Sequence, residues 1–213
     1  MVGGRGPGVC GPGGGGRPQS CVLGSVISTQ YHVGVQAEKA VPQPDLLQFI
    51  RDVPDYPVPG VLFRDITPLL ASAEAFRSAC DRLAYRYRDV PLDVVATIES
   101  RGFTFGAVLA YQLGVGVVPV RKAGKLPAET ISATYELEYG KAVLEVHRDA
   151  IQPGQRVLVV DDLLATGGTA VATRQLILEL GGELAGYGFL IELLALGGRA
   201  RLAGARVETL LEL

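Results

Sequence analysis

The first 37 residues of this 213-residue chain contain no aspartate or glutamate. Glycine and proline stand in their place, as in MVGGRGPGVCGPGGGGRPQSC. Such a stretch cannot bury enough apolar surface to offset the entropy of ordering it. It also lacks the contiguous apolar core and small-residue cleavage site of a secretory signal. Its two arginines, Arg5 and Arg17, are too few for a transit peptide. Residues 1–40 are therefore expected to be a disordered tail, or upstream sequence carried into the frame, and 41–213 the folded domain. Cysteine is scarce: there are three, two of them (Cys10 and Cys21) in that tail. An odd number without zinc-ligand spacing argues against both a disulfide framework and a zinc site, and a reducing cytoplasm is the expected compartment. No apolar run reaches the length of a membrane span. Neither sign of charge dominates, with 20 basic and 22 acidic residues and a net charge of −2. Nothing global therefore points to nucleic acid or to an anionic membrane as a partner. No internal repeat is visible.

What is present is apolar material in short blocks, 48% of the chain, enough for a sizeable core. The pattern turns globular at Pro44. DLLQFIRDV has helical spacing behind Asp45, and PDYPVPG breaks it. VLFRDITPLL reads as extended up to Pro68. SAEAFRSACDRLAYRY is a helix with Ser72 as its N-cap. DVVATIES and VGVVPVRK are buried strands on either side of a helix, GFTFGAVLAYQLG, closed by Gly114. TISATYELEYGKAVLEVHRDAI alternates polar and apolar residues about EYGK, as a two-stranded excursion with a flexible tip would. RVLVVDD, the helix GTAVATRQLILELGG, the strand LAGYGFLIELLAL, a short GGRARLAG turn or helix and an edge strand VETLLEL follow. Strands alternate with helices, and the central strands are unbroken runs of Val, Ile and Leu. This indicates an α/β fold with an open, mostly parallel sheet covered on both faces. Ligands in such sheets bind at the carboxyl ends of the strands.

One of those strand ends carries unusual chemistry. VLVVDDLLATGGTA runs from Val157 into two adjacent acids, Asp161 and Asp162, and then into a loop of small residues, Ala165, Thr166, Gly167, Gly168 and Thr169. Glycine lets backbone N–H groups approach a ligand closely. The helix that starts near Gly168 offers an anion site at its N-terminus. Adjacent carboxylates can serve as a helix cap with a solvated neighbour, as Mg²⁺ ligands, or as acceptors for a vicinal diol. Successive strand residues point to opposite sides, so both acids reach one ligand only where the strand curls. The loop is neither a Walker A motif nor G-x-G-x-x-G. A ribose 5-phosphate, with a phosphate close to a diol, fits the loop and the acids together.

The string VLVVDDLLATGGT resembles the phosphoribosyl pyrophosphate signature of type I phosphoribosyltransferases, in the form found in adenine phosphoribosyltransferases. FIRDVPDYPVPGVLFRDITPLL, ESRGFTFGAVLAYQLGVGVVPVRKAGKLP and TYELEYGKAVLEVHRDAI agree in order and spacing, so the likeness runs from about Leu46 to Leu196. It implies the type I phosphoribosyltransferase fold, with a small N-terminal hood and a flexible β-excursion loop over about 126–146. The implied reaction moves phosphoribose from phosphoribosyl pyrophosphate to adenine, giving AMP and pyrophosphate. By this likeness Ala165 to Thr169 bind the 5-phosphate, and Asp161 and Asp162 bind the ribose hydroxyls. Glu138 is the catalytic carboxylate near the purine imidazole, and Tyr139 helps close the pocket. A carboxyl group shut away from water there can have its pKa raised towards neutrality. Ser100, Arg101, Arg121, Lys122 and Lys125 gather at the pyrophosphate, and Glu99–Ser100 is expected to be a cis peptide. Leu62 and Arg64 belong to the hood that reads the adenine edge through backbone groups, with Phe63 able to pack on the base. Mg²⁺ is the expected cofactor, held by substrate and water rather than by a protein cage. A homodimer is expected too. The competing expectations are another purine substrate such as xanthine, and a non-catalytic regulator that senses phosphoribosyl pyrophosphate. Such regulators carry an N-terminal winged helix, against which the Gly-rich tail counts.

Overall fold

In the computed structural model, residues 43–136 and 141–213 are described. Strand β3 (Val94–Ile98) pairs in parallel with β4 (Gly116–Lys122) on one side and β7 (Arg156–Leu164) on the other. Beyond β7 lie β8 (Glu183–Glu192) and β9 (Val207–Glu212), both parallel. Beyond β4 lies the antiparallel pair β5 (Thr130–Glu136) and β6 (Lys141–His147). The sheet therefore has the order β5-β6-β4-β3-β7-β8-β9. The expected excursion is a hairpin that continues the main sheet, because β6 pairs with the end of β4 at Arg121–Glu145 and Lys122–Leu144.

Alternation of side chains splits the central strands between two cores. Val94, Ala96 and Ile98, with Val157 and Val159, face α4 (Gly168–Glu179). Val95, Leu158 and Val160 face α2 (Ala73–Tyr87) and α3 (Gly102–Leu113). Every residue of β3 is buried. This is why these strands read as unbroken apolar runs rather than as an alternating pattern. Each fully buried Val or Leu contributes roughly 1.5–3 kcal/mol relative to exposure.

The start of the domain differs from its sequence reading. DLLQFIRDV forms a single 3₁₀ turn, Leu46–Phe49, capped by Asp45, and then strand β1 (Arg51–Val53). β1 pairs antiparallel with β2 (Phe63–Asp65), making a small sheet of its own. One turn of apolar spacing is too short to sustain a helix against the pairing available to Arg51–Val53. Pro68 opens a helix rather than closing a segment: α1 spans Thr67–Ala71 with proline in its first turn, where the missing N–H costs nothing. Ser72 caps α2 as expected, its hydroxyl accepting from the Ala75 amide at 3.3 Å. Gly114 ends α3 with φ 70°.

No helix among the described residues is long and apolar enough to cross a membrane.

Candidate functional site

The chain passes from β3 through α3 to β4 on one side, and returns later to β7 on the other. The crevice at the carboxyl ends of β3 and β7 is thus a point where strand order reverses, the usual place for a ligand in an open α/β sheet. β3 matches β7 only as far as Thr97–Val160, whereas β7 runs on beside β8 to Leu164. Asp161 and Asp162 therefore stand past the last β3–β7 pair, still within strand β7 and both buried.

Two residues at the start of α3 meet these acids. The Nε of Arg101 lies 2.8 Å from Oδ2 of Asp162. Gly102 lies against Asp161 so closely that a Cβ there would sit 2.8 Å from Oδ1 and 3.0 Å from the Val160 carbonyl. Only glycine allows this approach, and Gly102 is a site residue that the sequence reading passed over. The signal for it was the SRG that opens α3, whose partner lies far along the chain. The Asp162 amide donates to Oδ1 of Asp161 at 2.9 Å. Burial pushes the pKa of Asp161 well above the ordinary carboxylate value, and the neighbouring charge of Asp162 adds to the shift. The guanidinium of Arg101 pairs with Asp162 alone, so among the described residues the two buried acids keep unused acceptor capacity.

The loop after the strand fits an anion. Gly167, with φ 78°, stands at the N-cap of α4; no side chain caps that helix and no acid lies in its first turn. Such an end presents backbone N–H groups and the positive end of the helix dipole. Thr169 sits in the first turn, its carbonyl accepting from the Thr173 hydroxyl at 2.8 Å. Thr166, Gly168 and Ala165 complete the loop, all of them buried or half-buried.

A cationic group lies on the other side of the crevice. Glu99 and Ser100 are joined by a cis peptide. Oε2 of Glu99 accepts from Nε of Arg121 and from the Lys122 amide, both at 3.1 Å. Burial works against the Glu99 carboxylate, but these two bonds together with the charges of Arg121 and Lys125 outweigh it and hold its pKa below the ordinary value. Glu99 therefore ties the end of β3 to Arg121 and Lys122, a role not read from sequence. Nη1 of Arg121 also donates to the Lys125 carbonyl at 3.0 Å. The Lys122 and Lys125 residues are exposed.

The small β1–β2 sheet reaches the same place. The guanidinium of Arg101 lies 5.1 Å from the centroid of the Phe63 ring, and Tyr56 meets Phe63 edge-on at 5.1 Å. Arg101 thus meets both the buried Asp162 and Phe63 of the β1–β2 sheet. Arg64 pairs with Asp52 across the β1–β2 sheet, and Leu62 is 46% exposed. Asp65 accepts from the Thr67 amide at 2.9 Å, from the Thr67 hydroxyl and from Arg51. These bonds, the Thr67 amide foremost, hold its pKa below the usual range. Glu138 and Tyr139 lie outside the described residues.

The chemistry of the assembled site is consistent: buried carboxylates at Asp161 and Asp162, with Arg101 against Asp162, and an uncapped glycine loop beside them. Among the described residues, no three His, Cys, Asp or Glu side chains converge to form a metal cage.

Comparison with known proteins gives the same direction. Residues 70–200 match the model of the phosphoribosyl transferase domain. The adenine phosphoribosyltransferase of Acaryochloris marina is 56% identical over 168 residues, which are 79% of this chain and 99% of that protein. Among solved structures, the adenine phosphoribosyltransferase of Thermoanaerobacter pseudethanolicus superposes with a TM-score of 0.77 at 51% identity, covering 79% of this chain and 98% of that one. The Saccharomyces cerevisiae enzyme, complexed with an imino-altritol bisphosphate and adenine, superposes with a TM-score of 0.73 at 43% identity, covering 78% of this chain and 96% of that one.

Proposed function

The chain belongs to the phosphoribosyltransferase family, and from that premise we propose that it transfers the phosphoribosyl group of 5-phosphoribosyl 1-pyrophosphate to adenine. The products are AMP and pyrophosphate, as in purine salvage. The observation that carries this reading is the buried pair Asp161–Asp162 running directly into an uncapped glycine loop, in a chain 56% identical to an adenine phosphoribosyltransferase.

The residues divide the work as follows. The loop Ala165–Thr169 takes the 5-phosphate on backbone N–H groups. Asp161 and Asp162 accept from the ribose hydroxyls and stabilise the oxocarbenium-like charge that grows as the bond from C1 to pyrophosphate breaks. The leaving oxygen keeps the electron pair, and its negative charge moves towards Ser100, Arg101, Arg121, Lys122 and Lys125. N9 of adenine then bonds to C1 of the ribose. The base must give up one proton, and Glu138 is the group that handles it, with Tyr139 beside it. Phe63 packs on the base, and Leu62 and Arg64 place backbone groups at its edge.

The donor set fits Mg²⁺ brought in with pyrophosphate, since in this reading Asp161 and Asp162 serve the sugar hydroxyls and, among the described residues, no three His, Cys, Asp or Glu side chains form a cage. When bound, the ion would neutralise charge on the departing pyrophosphate. We place the enzyme in the cytoplasm, where a thiol such as that of buried Cys80 stays reduced. The resemblance alone carries the homodimer, and sedimentation checks it: twice the chain mass supports it and a monomer contradicts it.

The test of function supplies phosphoribosyl pyrophosphate and Mg²⁺ with adenine, guanine, hypoxanthine or xanthine, and follows nucleotide formation. AMP from adenine, well ahead of the other products, is expected. Product from xanthine alone would reassign the base, and no product from any base would favour the regulator. Replacing Glu138 by Gln should lower turnover far more than it weakens substrate binding, and near-normal turnover would remove it from the mechanism.

A further inference from the structure

The segment that follows β8 lies against the phosphate loop. Gly198 opens a 3₁₀ turn, Gly198–Leu202. It is buried, and a Cβ on it would overlap the Ala165 carbonyl oxygen and sit 3.0 Å from the Gly167 amide nitrogen. The approach is mutual, because a Cβ on Gly167 would sit 2.9 Å from the Gly198 carbonyl oxygen. Two glycines therefore bring two backbones into contact at the residues that shape the anion loop. Nη1 of Arg201 donates to the Thr166 carbonyl at 3.3 Å, which sets a guanidinium beside the loop from outside.

This segment is anchored independently. Arg199 donates from Nε to both carboxylate oxygens of Glu192 at 2.9 Å, and reaches the Val207 carbonyl at 3.2 Å and the Thr209 hydroxyl at 3.1 Å. Glu192 is 3% exposed and stands opposite Leu164, the last residue before the loop. The Leu193 amide donates to the Leu164 carbonyl at 2.9 Å. The loop is thus fixed at its strand end by β8 and along its outer side by Gly198 and Arg201.

We propose that Gly198 and Arg201 are positioning residues for the 5-phosphate loop. Gly198 sets the course of the Ala165–Gly167 backbone. Arg201 polarises the Thr166–Gly167 peptide, so that its N–H donates more strongly to phosphate, and adds positive field at the anion. The inference rests on the proposed function, because it assumes that this loop receives the 5-phosphate.

The test is a binding titration of the full chain with phosphoribosyl pyrophosphate, ribose 5-phosphate and pyrophosphate, run alongside kcat and KM. Arg201→Ala should weaken both ribose phosphates about three- to tenfold, leave pyrophosphate unchanged and raise KM with kcat nearly constant. Arg201→Lys should recover part of the loss. Gly198→Ala should lower kcat/KM about a hundredfold, as expected for a loop displaced by about 1 Å. Equal weakening of all three ligands by Arg201→Ala, or no weakening of any, would overturn the proposal. The Arg201 variants keep the test open should Gly198→Ala fail to fold. Wild-type protein that binds neither ribose phosphate would instead sink the functional reading.

Discussion

Strand β7 carries an ionic group at each end, and the two are built on opposite plans. At the start of the strand, Arg156 meets Asp93. Its amide, Nε and Nη2 donate to that one carboxylate at 2.8, 2.9 and 3.0 Å. Acid and base are matched, and the Arg156 side chain, followed by its amide, pulls the Asp93 pKa down to about 2. At the other end Arg101 pairs with Asp162 alone of the two adjacent acids, and burial pushes Asp161 upward. The first arrangement leaves little acceptor capacity and joins β3 to β7. The second holds two carboxylates out of water with incomplete compensation, which favours an incoming ligand bearing hydroxyls. Paired charges hold the sheet together at one end, and underpaired charges at the other end are available for chemistry.

Breaking the underpaired end should have the largest effect. Asp162→Asn is expected to lower kcat/KM for AMP formation about a hundredfold, measured by steady-state kinetics. Loss of Arg101 comes next. Arg101→Met leaves Asp162 buried without its counter-charge and should cost about 2 kcal/mol of stability, less than for a fully buried pair because Arg101 is partly exposed. Urea unfolding measures it, and an unchanged midpoint would show that solvent already compensates Asp162. The smallest effect belongs to the matched end. Asp93→Asn should leave activity intact and lower the melting temperature slightly at neutral pH. Since the folded pKa of Asp93 is depressed, its contribution is present above the unfolded value of 3.8 and is lost as pH falls towards about 2. Melting curves of wild type and variant should therefore converge over that interval, and a gap that persists at pH 2 would mean that the bonds matter through geometry alone.

Much of the second plan was legible in the sequence and almost none of the first. Val157 to Val160, the glycine loop and the start of α4 form one contiguous string, so local apolar patterning and turn chemistry disclose them. Asp93 precedes β3 and Glu99 follows it, while their partners Arg156 and Arg121 stand on β7 and β4, and nothing local in either member announces its partner. The same holds for Gly102 against Asp161 and Gly198 against Ala165. Each is a glycine required by a backbone distant in sequence, and a lone glycine beside a helix start reads as ordinary punctuation. DLLQFIRDV and Pro68 depart from their local pattern for a different reason. A single 3₁₀ turn followed by a three-residue strand is shorter than the window in which helical and extended periodicity separate, and Pro68 signals a helix start as readily as a stop.

Asp161 is kept at a cost to stability for the sake of the ligand. The direct measurement is Asp161→Asn, with AMP formation and thermal melting followed on the same preparation. Asn Oδ1 can still accept from the Asp162 amide, while the buried negative charge is gone. With the folded pKa of Asp161 raised, its favourable contribution exists below the unfolded value and is lost as pH rises through the folded one. The variant should therefore melt higher than wild type at pH 8, with the advantage shrinking on acidification, while activity falls about a hundredfold. A variant that melts lower and keeps its activity would contradict the account.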